Sequence, residues 1–143
     1  MTRFRVVTVC TAIFALGVVT GQLLDGSSAE AQGQRVFELR TYTSPEGRLD
    51  DLLARFRNDT LRIFEKHGME NVGYWVPVDA PASGNTLIYV LAHDSRDAAA
   101  QSWAAFREDP EWRAVAERTQ ANGPIVSQVQ SVFLEATAFS PLK

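Results

Sequence analysis

The chain has 143 residues, of which 45% are hydrophobic and 22% are charged, and its 14 Lys and Arg against 17 Asp and Glu give a formal charge of −3. No basic stripe or block of like charge appears, which argues against a nucleic-acid partner. The one cysteine, Cys10, lies in an apolar N-terminal segment, so disulfides cannot stabilise the rest of the chain.

The N-terminal segment has the order of a secretory signal peptide. Arg3 and Arg5 precede an apolar stretch at 6–19, and small residues follow at 26–32. An A-x-A cleavage motif lies at 29–31. The alternative is an uncleaved N-terminal membrane anchor, because the apolar stretch and the residues after it would nearly span a bilayer.

The short apolar core and the small residues after it favour cleavage. We therefore assign residues 1–31 to a signal peptide, 32–35 to a linker and 36–139 to one domain of an exported protein, periplasmic or secreted. The mature chain then has 143 minus 31 residues, which is 112, and contains no cysteine. No membrane association is expected after cleavage.

The first predicted strand covers 36–43 and contains the stretch FELRTYT. A helix follows, with Ser44 as its N-cap and Pro45 at its first position, and Gly68 ends it. Its apolar stripe recurs every three or four residues, at Leu49, Leu52, Leu53, Phe56, Thr60, Ile63 and His67.

Strands two and three are predicted over 70–78 and 86–93, and the loop 79–85 joins them into a hairpin. Strand two is ambiguous, because either of its two faces could be buried. We place Trp75 on the face of the sheet away from the helices.

The second helical zone begins at a cap formed by Asp94 or Ser95. It restarts at the stretch DPEW, where Asp109 caps a new turn and Pro110 opens it. Period-two alternation then predicts a long fourth strand over 125–139.

The order β-α-β-β-α-β predicts an α+β, ferredoxin-like fold. Its four-stranded antiparallel sheet carries both helical zones on one face, and strands one and three are central. The other face remains open, and the alternation assigns it apolar residues, including Leu87, Tyr89, Leu91, Val132 and Leu134. So much apolar surface predicts a homodimer.

Charged residues alternate with apolar ones along strand one. If Phe37 and Leu39 face the helices, Glu38, Arg40 and Tyr42 face the open side. One interpretation is that Glu38 and Arg40 form a structural ion pair at the sheet–sheet interface. The alternative is a ligand pocket in which Arg40 holds an anionic or enolic oxygen. The candidate pocket residues are Glu38, Arg40, Tyr42, Trp75, Tyr89 and His93.

Five motifs in order, FELRTYT, HG, GYW, GN and DPEW, resemble the NIPSNAP domain family over about 35–138. The resemblance implies a dimeric α+β barrel. It carries over no functional residues, because members lack a settled catalytic constellation. Related barrels include cofactor-independent monooxygenases, haem-binding enzymes and non-catalytic dimers.

Two functions remain open. The first is an exported homodimer that binds a small molecule or closes a structural barrel, and the second is a cofactor-independent oxygenase or isomerase acting in the barrel cavity. No cofactor and no metal site are predicted, since neither histidine belongs to a metal-ligand pattern. Haem is disfavoured because the second helical zone contains no axial histidine, although His93 keeps it open.

Overall fold

The computed structural model describes residues 35–143, so the predicted signal peptide and residues 32–34 of the linker lie outside the described residues. The order of elements confirms the β-α-β-β-α-β prediction. The elements are β1 (Val36–Thr43), α1 (Leu49–Arg55), a π-helical turn (Phe56–Thr60), α2 (Leu61–Lys66), β2 (Glu70–Trp75), a 3₁₀ turn (Ala82–Gly84), β3 (Thr86–His93), α3 (Arg96–Glu108), α4 (Pro110–Thr119) and β4 (Gln128–Glu135).

The four strands form one antiparallel sheet in the order β2-β3-β1-β4, as predicted. Strand β1 pairs with β3 from Val36 opposite His93 to Thr43 opposite Thr86. The helices pack on one face of this sheet through a core of buried side chains. Strands β2 and β4 are shorter than predicted and end at Trp75 and Glu135.

The first helix begins later than predicted, at Leu49. Ser44 does not cap it, because the Ser44 amide donates to the Asn85 carbonyl at 2.7 Å and its hydroxyl donates to the Ile125 carbonyl at 2.9 Å. A turn with Gly47 at φ +72° then reverses the chain. Segments α1, the π-helical turn and α2 continue one another, since the residues at both junctions are right-handed helical.

The DPEW stretch joins α3 to α4 within the second helical zone, and Asp109 and Pro110 start α4 as predicted. The Asp109 carboxylate accepts from the Glu111 amide at 2.9 Å and so caps α4. It also binds Lys66 Nζ and His67 Nε2, both at 2.7 Å. These bonds, that of Lys66 first, lower the pKa of Asp109 well below its ordinary value.

The predicted assignment of the two sheet faces is wrong. Leu87, Tyr89 and Leu91 are buried in the core between the sheet and the helices. Their partners across the ladder are Tyr42, Arg40 and Glu38, which therefore also face the helices. Alternation divides a strand into two faces but does not say which face is covered.

The open face is instead formed by the alternate residues, and it is still apolar. Ile88 pairs with Trp75 on this face, as we placed it, and Trp75 is 53% exposed. Val132 and Leu134 of β4 lie there as predicted and are 53% and 41% exposed. The row on β1 and β3 between them consists of Phe37, Leu39, Val90 and Ala92, of which Phe37 and Ala92 are buried, at 7% and 2% exposed.

Candidate functional site

A buried carboxylate, Glu38, organises the covered face of the sheet. It lies in the middle of β1, is 1% exposed and accepts bonds on both oxygens. Its Oε1 binds Arg40 Nη1 and Ser131 Oγ at 2.6 Å each, and its Oε2 binds Trp103 Nε1 at 2.7 Å and lies 3.2 Å from His93 Nε2.

These four partners determine the charge state of the carboxylate. Burial alone would raise the pKa of Glu38. The hydrogen bonds and the neighbouring guanidinium outweigh burial and lower the pKa from 4.5 to about 2. Glu38 is therefore ionised at neutral pH, and its negative charge balances that of Arg40.

Arg40 keeps its ion pair with Glu38 and also lines a cleft. Its guanidinium carbon lies 4.1 Å from the ring centroid of Trp103, and its Nη2 lies 3.5 Å from the Tyr42 hydroxyl. Its buried Nε has no hydrogen-bond partner within residues 35–143. The guanidinium thus lies over an aromatic ring and keeps an N–H donor without a partner in this range.

The cleft has a volume of about 300 Å³ and lies between β1, β4 and α3. Two more arginines of α3, Arg96 and Arg107, line it, and Arg96 stacks over the ring of Phe133 at 3.8 Å. Neither forms an ion pair with any residue in the described range 35–143. Three guanidinium groups therefore face one carboxylate, which makes the cleft cationic.

An aromatic cluster lies behind the cleft. The rings of Tyr42 and Tyr89 are 5.3 Å apart, edge to face, and Tyr74 stacks on Tyr89 at the same distance. Tyr89 is fully buried, and its hydroxyl has no partner in the described part of the chain. Burial raises the pKa of Tyr89, so the phenol stays neutral.

The structure brings together five of the six predicted pocket residues. Glu38, Arg40 and Tyr42 form one row, Tyr89 packs against it, and His93 reaches Glu38 from the next strand. These five residues lie on the face of the sheet that the helices cover. The predicted location on the open face is therefore wrong. Trp75 lies on the opposite face of the sheet and is separate from them.

Five residues of the site were not predicted. Arg96, Trp103 and Arg107 share one face of α3 with Ala100, at spacings of four, three and four residues. That spacing is visible in the sequence as a basic and aromatic stripe. Ser131 and Phe133 could be found only from the pairing register, since they lie opposite Arg40 and Glu38.

Within residues 35–143, no group of three or more His, Cys, Asp or Glu is placed to hold a metal ion. No helix of this range has both the length and the apolar character needed to cross a bilayer.

Residues 37–141 match the sequence profile of the NIPSNAP family. The chain belongs to the NIPSNAP family. A NIPSNAP family protein from Agrobacterium tumefaciens shares 24% identity at a TM-score of 0.67, and the match covers 77% of this chain and 100% of that one. A NIPSNAP-like domain protein from Burkholderia xenovorans shares 18% identity at 0.66 over 76% and 90%.

A more distant likeness extends beyond NIPSNAP proteins. SnoaB, a cofactor-independent oxygenase from Streptomyces nogalater, shares 14% identity at a TM-score of 0.50 over 76% of this chain and 99% of its own. No curated protein sequence matches this NIPSNAP chain. The structural likenesses show the ferredoxin-like fold, and the function has to be argued from the site.

Proposed function

We propose that this chain is an exported homodimer that binds a small anionic molecule with a flat, conjugated part in the cleft between β1, β4 and α3. The observation that supports this binding proposal is the positive charge of the residues that line the cleft. Arg40, Arg96 and Arg107 line it, and Glu38 is the only carboxylate that residues 35–143 contribute to its lining. Guanidinium groups bind carboxylates, sulfonates and phosphates through paired N–H donors.

The walls of the cleft favour a flat ligand. The guanidinium of Arg40 lies on Trp103, and that of Arg96 lies on Phe133. A planar anion can stack beside these rings while its charged group reaches the arginines. The volume of about 300 Å³ is at the lower end for small-molecule sites, which suits a ligand of one or two rings.

The protonation states favour binding over catalysis by a general base. Glu38 lines the cleft, but a carboxylate with a pKa of about 2 is a weak proton acceptor at neutral pH. His93 is 2% exposed and is turned toward Glu38, so a ligand in the cleft does not meet its imidazole.

The open face of the sheet supports the homodimer. Trp75, Val132 and Leu134 are exposed there beside half-buried Leu39 and Ile88. Exposed apolar side chains of this kind favour burial against a partner, and a second copy offers a surface of the same shape.

Titration of the purified protein with salicylate, followed by Trp fluorescence and calorimetry, tests the binding. The variant Arg96→Gln/Arg107→Gln should bind at least roughly tenfold more weakly, because each lost guanidinium removes charge-assisted bonds. Arg57→Gln controls for the loss of an arginine outside the cleft, since Arg57 is exposed and does not line it. Equal salicylate affinity in the double variant and the control would overturn the proposal.

A second candidate is a cofactor-independent oxygenase or isomerase, and Arg40 is the observation that favours it. A guanidinium held on a ring can stabilise the enolate of a substrate acidic enough to ionise on binding. An oxygen electrode and NMR, with a panel of 1,3-diketones, would detect oxygen consumption or isomerisation. Activity that Arg40→Gln abolishes would support the enzyme, whereas binding without turnover would support the first candidate.

A further inference from the structure

A second arginine is buried outside the cleft described above. Arg55 is the last residue of α1, and it is 5% exposed. Its side chain donates no hydrogen bond and forms no ion pair within residues 35–143, and its buried Nε is without a partner there. Its guanidinium carbon lies 5.2 Å from the ring centroid of Trp112, which stabilises the charge only in part.

A cleft of about 300 Å³ opens beside this arginine, between the first helix and α4. Without Arg55 its charged lining consists of two arginines and two aspartates, so their charges balance. Arg48 Nε binds Asp51 at 2.6 Å, and Arg118 Nη2 binds Asp59 at 2.9 Å. Both carboxylates are therefore already paired with other arginines, and the lining that residues 35–143 form provides no counterion for Arg55.

The rest of the lining adds neutral donors. Asn58 and Asn122 line the cleft, and neither side-chain amide is engaged in a hydrogen bond within the described range. Thr119 lines it as well but adds no free donor, because its hydroxyl donates to the Val115 carbonyl at 2.8 Å. A guanidinium with amide groups around a polar cleft is the donor set that an oxyanion requires.

The local helix geometry keeps Arg55 in place. The π-helical turn begins directly after it, and the buried Thr60 hydroxyl donates to the Arg55 carbonyl at 3.2 Å. π-Helical turns inside α-helices occur frequently at functional sites, because the extra residue changes which side chains face inward. Burial, the largest effect on this group, lowers the pKa of Arg55, as expected for a charge without a counterion.

We propose that Arg55, Asn58 and Asn122 form a binding site for a small oxyanion, a phosphate or a carboxylate, between the first helix and α4. The bound anion supplies the missing counter-charge of Arg55. This site is separate from the cationic cleft on α3 and does not depend on the function proposed for it.

Thermal unfolding in added sodium phosphate, sodium sulfate or sodium acetate, at constant ionic strength, tests the site. We expect the Tm of the wild type to rise with anion concentration. Comparison of the tetrahedral anions with planar acetate distinguishes phosphate from carboxylate as the preferred ligand. In Arg55→Met the dependence should disappear, with a loss of roughly tenfold or more in phosphate affinity.

Arg55→Met also has a second expected result. Because it replaces a buried unpaired charge by an apolar chain, its Tm without added anion should equal or exceed that of the wild type. Arg57→Gln controls for the loss of one positive charge, and Arg96→Gln/Arg107→Gln must keep the phosphate response. That last variant separates failure of this site from failure of the α3 cleft.

Two results would overturn the proposal: a wild-type Tm that does not respond to any of the three anions, or an equal response in Arg55→Met. If Arg55→Met does not fold, calorimetric titration of wild type and Asn58→Ala with phosphate decides. Asn58 is exposed at the rim, so its loss should weaken binding several-fold without unfolding the protein. Unchanged affinity in Asn58→Ala would then count against the site.

Discussion

The indole Nε1 of Trp103 donates a 2.7 Å hydrogen bond to the buried carboxylate of Glu38, and this bond links the first strand to the helix that covers it. The same indole ring supports the guanidinium of Arg40 at 4.1 Å. One side chain of α3 thus holds both members of the ion pair on β1.

Replacing Trp103 by Phe should keep a smaller aromatic ring in place and remove the N–H donor. A hydrogen bond to a charged acceptor contributes about 1.5–3 kcal/mol, so we expect Trp103→Phe to lower the free energy of unfolding by that amount. Urea unfolding at pH 7 measures it. Trp112→Phe is the matched control, because Trp112 is also half-buried but forms no such bond within residues 35–143. Equal losses in both variants would contradict the role of the bond.

Acid should destabilise the protein through Glu38. Its pKa is about 2 when folded and 4.5 ordinarily, so its contribution is complete above pH 4.5 and is lost as the pH falls toward 2. The shift corresponds to about 3 kcal/mol. Urea unfolding of Glu38→Gln should therefore show a shallower loss of stability between pH 5 and 2 than wild type. Glu46→Gln, at an exposed turn position, should lose stability with falling pH as the wild type does. The same pH dependence in Glu38→Gln and wild type would show that Glu38 is not the group responsible.

Arg40 and Glu38 should be energetically coupled. Arg40→Ala leaves Glu38 with Ser131, Trp103 and His93 as partners but without a neighbouring cation. We expect a loss of about 3 kcal/mol, and a smaller effect of the same change in the Glu38→Gln background. Urea unfolding of the two single variants and the double variant gives the coupling. Additive losses would mean that the pair is solvated and that each charge acts alone.

The open face should form a dimer at micromolar concentration. Val132→Asp places a charge in the apolar face and should yield monomers in sedimentation experiments. Val129→Asp is a close control: Val129 lies on the same strand and is 45% exposed, but its side chain is on the covered side of the sheet. A wild type that sediments as a monomer would mean that this face is not an interface.

Export should produce a mature N-terminus near Gln32. The basic, apolar and small-residue regions of 1–31 occur in the order that signal peptidase substrates require. Fractionation followed by N-terminal sequencing measures the result. Intact chain in the membrane fraction would instead identify the segment as an anchor.

The fold was predictable because its signals are local. The predicted bounds of β1 and β3 and the Asp109–Pro110 start of α4 agree with the structure, and of the two predicted caps of α3, Asp94 or Ser95, the structure has Ser95. The cap at Ser44 failed because that residue is held by long-range bonds to Asn85 and Ile125, which no local pattern encodes.

The site was predictable only in part, for a related reason. Alternation groups Glu38, Arg40 and Tyr42 on one face of β1, but the choice of Phe37 and Leu39 as the core face places that row on the open side, in an ion pair or a ligand pocket. Burial of Glu38 becomes favourable only when Trp103, Ser131 and His93 supply donors, and these lie 65, 93 and 55 residues away in sequence.

The two faces of β1 meet different surroundings, and this difference affects how selection acts on the strand. Even-numbered positions from Glu38 to Tyr42 face α3 and the first helix, whereas odd-numbered positions from Phe37 to Thr41 face the open side. Neighbouring residues are therefore under different constraints although they share one strand. Among homologues, we expect substitutions at position 40 to covary with Trp103 and Arg96, and those at position 39 to covary with Val132 and Val90.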